Sequence, residues 1–386
     1  DIDGPRALPL QIDREIPALG RYQACRRVAR TIFLGSAPLT GSHRGLEDRR
    51  IKLGCVMPGE SPSVFGDALR RLAARSTYLY HDGPRYWYDT QPTVTRLAED
   101  RAEQLRRNPD RVLQELEQLL QRECRQRGPF AGVHVMPRGH GDVPDERSVR
   151  LVVLDPEHPH IRNDERSPAL RRAAEFLQNR GSAPRRYRNT LVFLAADETR
   201  YQDLEEAIRH YLAWQSILDD RESLNLTPFQ VRQAEQRYEE SRRTVMLRLP
   251  EAYCWLLVPH QQDPLGGEVT WEAIRLTGQN GLVERVACRL QSEEQLVTSL
   301  GGSRLRMELD RIPLWRGNHV EIRQLLDDFA SYLYLPRLAS PSVLIEAIRD
   351  GVGSISWDLD GFAYAEGYDE EAGRYRNLKV GERLLI

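Results

Sequence analysis

The chain has 386 residues, of which 40% are hydrophobic and 29% charged, and it carries a net charge of -2 with a pI near 6.6. That length predicts more than one compact unit. The apolar share excludes a disordered chain, and near-neutrality excludes a polycation that meets nucleic acid through its whole surface.

Cys25, Cys55, Cys124, Cys254 and Cys288 are odd in number, scattered and never paired as CxxC. This argues against a disulfide framework or zinc knuckle and for a reducing compartment, the cytoplasm. No apolar run reaches the roughly 18 residues that a membrane span needs, so no membrane contact is expected. The start at Asp1 has no charged-then-apolar leader and no initiator Met, as a trimmed or internal fragment would look. All basic side chains but Lys52 and Lys379 are arginine, which genome composition explains more simply than selection for phosphate binding. Neither lysine stands in the GxxxxGK[ST] frame with which a P-loop grips a triphosphate. No catalytic residue, metal or cofactor is therefore assigned to this chain.

In chain order, Ile16 to Phe33 has helical spacing of small apolar residues, ended by Gly35-Ser36-Ala37-Pro38. Ser61-Pro62-Ser63-Val64 reads as a helix start, followed by Val64, Phe65, Ala68, Leu69 and Leu72 on one face. Thr77 to Tyr80, the turn at Asp82-Gly83 and Arg85 to Tyr88 read as a hairpin. Helices, a capped helix and then a hairpin is the layout of a winged helix. Thr93 to Arg127 reads as one helix, a charged spacer. Strands are expected at 130–136, 149–154 and 190–195, with helices at 168–179, 201–218 and 228–243, and a loop from Pro137 to Arg147. Strand, crossover helix and strand should pair in parallel. Tyr253 to Val258 is an apolar run for burial against that sheet, and Gln261 to Gly267 reads as a linker. A helix from Val320 to Tyr332 follows, after which Ser340-Pro341-Ser342-Val343 repeats the earlier cap. A second strand, Asp360-Gly361 turn and strand are expected over 355–365.

The expected fold is therefore mixed, helix-rich α/β: a winged-helix-like domain at 1–92, a helical spacer at 93–128, and an α/β domain with a parallel βαβ unit at 129–262. A mixed connector at 263–319 and a second winged-helix-like unit at 320–386 complete it.

In a parallel sheet ligands sit beyond the carboxyl ends of the strands, where Asp155, Asp197 and Glu198 fall. Leu191 to Glu198 is Walker B-like, but without a P-loop lysine that reading fails; the competing role for Asp197 is to cap the next helix. Asp155, Glu157, His158 and His160 could supply metal ligands to a metal-dependent nuclease or phosphohydrolase, yet Pro156 and Pro159 make that stretch an irregular loop. Arg70, Arg71 and Arg75 on the capped helix, Arg85 on its wing and Arg49 and Arg50 just before form a candidate nucleic-acid face. The second unit carries Asp358, Asp360, Glu366 and Asp369 to Glu371, an acidic wing suited to a protein partner. A pure protein-interaction scaffold is the remaining alternative.

Several strings stand out: Arg30 to Pro38, Tyr78-Leu79-Tyr80 with Tyr86 to Pro92, Asn189 to Asp197 with Tyr211 to Trp214, and Tyr334 to Leu338. Over nearly the whole chain they resemble the C-terminal part of large prokaryotic predicted ATP-binding proteins, catalogued as domain of unknown function 499. The resemblance implies an upstream P-loop ATPase region of the same protein, with ATP and Mg²⁺ belonging to that parent. It also implies a setting beside a DNA methyltransferase in a defence-type, antiviral system. By the same resemblance Arg26, Arg27 and Arg30 are candidates for arginines that reach a neighbouring nucleotide as the lids of such ATPases do; an exposed helix face is the competing reading.

Overall fold

A computed structural model describes residues 2–37, 45–89, 93–262, 267–278, 280–312, 314–315 and 317–381. Pro38, Thr90 to Pro92 and residues 263–266 of the expected linker lie outside the described residues. The fold is mixed α/β, and it divides into two compact units, residues 1–109 with 209–242 and residues 110–208 with 243–386. The division differs from the expected linear order, because part of the 129–262 block clusters with the N-terminal unit.

The first unit opens with α1 (Leu8–Glu15), α2 (Pro17–Gly20) and α3 (Ala24–Ser36). The single helical run expected from Ile16 is broken: Pro17 begins a four-residue turn, and Gln23 takes a left-handed φ of 51° before α3 starts. Gly20 is required there, since a Cβ would lie 2.2 Å from the Asp13 carbonyl. On α3, Ala24, Cys25, Val28, Ala29 and Ile32 are buried at helical spacing. Next come β1 (Leu46–Glu47), α4 (Asp48–Cys55), α5 (Pro62–Arg75), β2 (Leu79–Asp82) and β3 (Arg85–Tyr88). Pro62 opens α5, whose Phe65, Ala68, Leu69 and Leu72 join α3 in one core. Ser61 holds the N-cap position but makes no side-chain cap bond. Gly83 takes the positive φ of 53° that the hairpin turn demands. The sheet order is β1-β3-β2, all antiparallel.

The expected spacer is two helices, α6 (Val94–Arg106) and α7 (Pro109–Glu123). Proline disfavours helix at the residue before it and suits a first helical position, so the chain breaks at Asn108. Thr93 caps α6 by accepting from Arg96 N at 3.2 Å.

In the second unit β4 (Gly132–Val135), β5 (Arg150–Val153), α8 (Pro168–Gln178), the small pair β6 (Asn179–Arg180) and β7 (Ala183–Pro184), and β8 (Leu191–Ala195) follow. β5 pairs in parallel with both β4 and β8, and α8 is the helix between β5 and β8. Every residue of β5 and β8 is buried, as a sheet covered on both faces requires. Helices α9 (Glu198–Asp219) and α10 (Pro228–Ala252) then lead to β9 (Trp255–His260) and β10 (Thr270–Arg275). The sheet runs β10-β9-β8-β5-β4, with β9 antiparallel to both neighbours. β10 was not foreseen in the connector.

After α11 (Leu282–Ser292), α12 (Gly302–Arg311), α13 (Ile322–Ser331) and α14 (Pro341–Gly353), the chain departs from expectation. Residues 355–365 form no hairpin: Trp357–Asp360 is a short helix, α15, and the two strands lie further on, at β11 (Gly367–Asp369) and β12 (Arg374–Arg376). Gly361 is not a hairpin turn but a packing glycine, whose Cβ would meet the Gly351 carbonyl at 2.2 Å. None of the described helices is long and apolar enough to cross a membrane.

Candidate nucleic-acid interface and the strand-end acids

With Phe65, Ala68, Leu69 and Leu72 turned inward, α5 offers solvent the opposite stripe, Ser63, Arg70, Arg71, Ala74 and Arg75, flanking half-buried Asp67. Of its three arginines Arg70 is the most open, with 73% of its side chain exposed. The stripe is not simply cationic. Asp67 accepts from Arg71 Nε at 2.9 Å and from Arg70 at 3.2 Å, and the Arg71 bond chiefly holds its carboxyl below the usual range. Arg75 grips Glu15 of α1 at 2.6 and 3.3 Å, lowering the Glu15 pKa in the same way. Arg85 reaches Glu47, its cross-strand partner in the β1–β3 ladder, at 3.0 Å. Arg49 and Arg50 are exposed on α4 and have no ion-pair partner among the described residues. All six arginines thus belong to one compact unit, and Asp67, Glu15 and Glu47 pair with four of them, Arg70, Arg71, Arg75 and Arg85. The partners Asp67 and Glu15 were not foreseen, although Asp67 stands three and four residues before Arg70 and Arg71, the spacing at which helical ion pairs form.

The wing is held on both faces. Tyr86 and Tyr88 pack on the helical core. On the other face Tyr80 stacks on Trp87 with ring centroids 5.8 Å apart, Trp87 meets Phe229 of α10 at 6.1 Å, and Gln230 donates to the Tyr80 hydroxyl at 3.0 Å. Burial pushes the Tyr80 phenol up to about 12. Within the wing the tip, His81 to Pro84, is exposed, and the strand residues Arg85 to Tyr88 are half-buried.

Of the arginines considered as nucleotide-reaching, Arg27 is engaged within its own unit. Both terminal nitrogens meet Glu60 at 2.9 Å, the Tyr22 and Cys55 carbonyls accept from it, and it lies 4.8 Å over the Phe65 ring. Arg26 and Arg30, one turn apart on α3, both hold Asp3, Arg26 at 2.7 Å.

At the carboxyl ends of the parallel strands, Asp155 Oδ1 is within hydrogen-bond distance of His158 Nδ1, at 2.6 Å. Asp197 caps α9: Oδ1 accepts from Thr199 Oγ1 at 2.8 Å and Arg200 N at 3.1 Å, and Oδ2 accepts from Trp255 Nε1 at 2.9 Å. Burial works to raise the Asp197 pKa, but these bonds outweigh it and the net shift is downward. His160 is buried, with Nδ1 2.9 Å from Ser167 Oγ and its ring against Trp255 at 4.8 Å; burial lowers its pKa. Glu198, the first residue of α9, faces solvent. Among the described residues no group of three His, Cys, Asp or Glu side chains converges as a metal centre. Asp155 is thus engaged in a local bond and Asp197 in capping, while Glu198 is open.

In the terminal part, Asp358 and Asp360 lie on α15, and Glu366 and Asp369 to Glu371 lie along β11 and its turn. His319 packs on Tyr368 at 4.6 Å and Tyr375 at 5.9 Å, which fixes that small hairpin. No family model matches the chain, and neither a curated protein nor a solved structure matches it.

Proposed function

We propose that residues 1–92 are a winged-helix unit that contacts duplex DNA through α5, within a non-catalytic arm of a larger P-loop ATPase. The observation that carries this reading is the outward stripe of Arg70, Arg71 and Arg75 on a proline-started helix. The helix lies between α4, with its exposed Arg49 and Arg50, and a wing bearing Arg85. The order α3, β1, α4, α5, β2, β3 with sheet order β1-β3-β2 supports it, because that topology turns the third helix outward. Guanidinium groups on such a helix contact phosphates and guanine edges. The parent ATPase, with its ATP and Mg²⁺, and the neighbouring DNA methyltransferase rest on the resemblance of the strings quoted above. The acidic β11–β12 segment favours a protein rather than a phosphate surface as its partner, since carboxylates repel phosphate.

The test is a titration of the chain with duplex DNA at two ionic strengths. Binding should weaken steeply as salt rises, because phosphate contacts release counterions. The variant with Arg70, Arg71 and Arg75 all changed to Ala should bind at least about tenfold more weakly and show a shallower salt slope. Equal affinity in that variant rejects α5 as the contacting face.

A further inference from the structure

We infer that Asp67 and Glu15 are guard carboxylates: in the free protein they occupy the guanidinium groups of Arg70, Arg71 and Arg75, and a DNA phosphate must displace them to bind. The inference rests on the reading of α5 as the DNA-facing helix.

The geometry is specific to these residues. Asp67 lies among the arginines on the outward side of α5 and is shared by two of them, Arg71 at 2.9 Å through Nε and Arg70 at 3.2 Å. Glu15 comes from a different helix, sixty residues away in sequence, and takes Arg75 with both oxygens, at 2.6 and 3.3 Å. Every arginine of the stripe is therefore already bonded to a carboxylate, whose charge and planar pair of oxygens resemble what a phosphate would offer. The pairs are open to exchange, since the side chains of Arg71, Arg75 and Glu15 are 48%, 44% and 53% exposed. Exposed ion pairs of this kind are weak, so they lower affinity without abolishing it. A face built this way holds DNA loosely and responds to the local concentration of phosphate, as suits a module that the rest of a larger protein brings to its target.

Two readings of Asp67 make opposite predictions. If it guards, removing its charge frees two arginines and removes a repulsive group. If it only positions the arginines, removing it lets them wander and binding weakens. The experiment compares the wild-type chain, Asp67→Asn, Glu15→Gln, the double variant, and the Arg70, Arg71 and Arg75→Ala triple variant, by fluorescence anisotropy on one labelled duplex at low salt. Circular dichroism serves as the check of folding. Asp67→Asn should bind about threefold to tenfold more tightly and Glu15→Gln about twofold to threefold, with the double variant tightest. If the triple Ala variant loses affinity while Asp67→Asn binds as wild type or more weakly, the guard role is overturned and the DNA-facing reading stands. If the triple variant binds as wild type, the reading of α5 itself fails, and the guard role with it.

Discussion

Trp255 donates its indole N–H to Asp197 Oδ2 at 2.9 Å, while Asp197 Oδ1 caps the helix that follows. One carboxylate therefore ties the start of β9 to the end of β8, where Ala195 and Trp255 are paired in register. An acid in a Walker B-like position is here a structural joint.

The joint can be measured. Asp197→Ala removes a cap and the acceptor of a buried indole, each worth about 1–2 kcal/mol, and should lower the urea midpoint accordingly. Asp197→Asn keeps an oxygen for either bond and should lose less than half as much. Equal midpoints for wild type and the Ala variant would show that the carboxylate is dispensable.

Asp327 supplies a pH-dependent contribution. It accepts from Arg147 Nε and Arg186 at 2.7 Å and from the Tyr187 hydroxyl at 2.8 Å. Burial pushes its pKa upward, but the Arg147 and Tyr187 hydrogen bonds prevail and leave it lowered. A carboxyl depressed in the folded state stabilises the protein above its unfolded pKa of about 3.9 and loses that contribution as pH falls through the folded value. Acid titration of thermal stability should therefore fall less steeply below about pH 4 for Asp327→Asn than for wild type. At pH 7 the variant should be less stable by about 3 kcal/mol, since it breaks a nearly buried ion pair. Parallel acid curves would exclude Asp327 as the titrating group.

What the sequence disclosed follows from the range of each signal. The Pro62 start of α5, the Asp82-Gly83 turn and the βαβ strands around α8 are local patterns, and all are present. The run from Thr93 to Arg127 has continuous helical spacing, yet Pro109 divides it, because a backbone constraint outweighs a side-chain pattern. Asp360-Gly361 misled for the reverse reason: its glycine answers to Gly351, ten residues earlier and on another helix, rather than to a turn. Of the two carboxylates on the α5 face, Asp67 was legible from helical spacing, whereas Glu15 meets Arg75 only through the packing of α1 beside α5.

The α12–α14 crossing depends on glycine. A Cβ on Gly302 would lie 2.3 Å from Gly351 N and 2.4 Å from its Cα, atoms that cannot step aside without moving α14. Gly302→Ala should destabilise this helix pair by about 1–3 kcal/mol or more, seen as faster amide exchange along α12 and α14. Gly139, which has nothing within 4 Å of its Cβ position, is the control, and Gly139→Ala should change stability by less than about 0.5 kcal/mol. Unchanged exchange in Gly302→Ala would mean that the helices do not meet at these glycines.

Arg337 makes the most demanding prediction. Its guanidinium is buried and no carboxylate pairs with it among the described residues; instead it donates to the carbonyls of Asn189 at 2.9 Å, Pro259 at 3.1 Å and Gln295 at 3.2 Å. Burial pushes its pKa down to about 10, so the group remains charged at neutral pH. The three carbonyls belong to the approach to β8, to β9 and to the turn after α11. One side chain thus joins three segments, and its backbone carbonyl accepts from Val297 N at 2.8 Å. Arg337→Met matches the volume of the stem but leaves three carbonyls without donors, at a cost of about 1–3 kcal/mol each before relaxation. A loss of at least about 3 kcal/mol is expected, with the Val297–Ala339 backbone bonds exchanging first. Arg337→Lys should recover only part of it, because one ammonium nitrogen cannot replace three separate guanidinium nitrogens, each donating to its own carbonyl. If the Met variant melts with the wild type, the carbonyl cluster does not need the arginine.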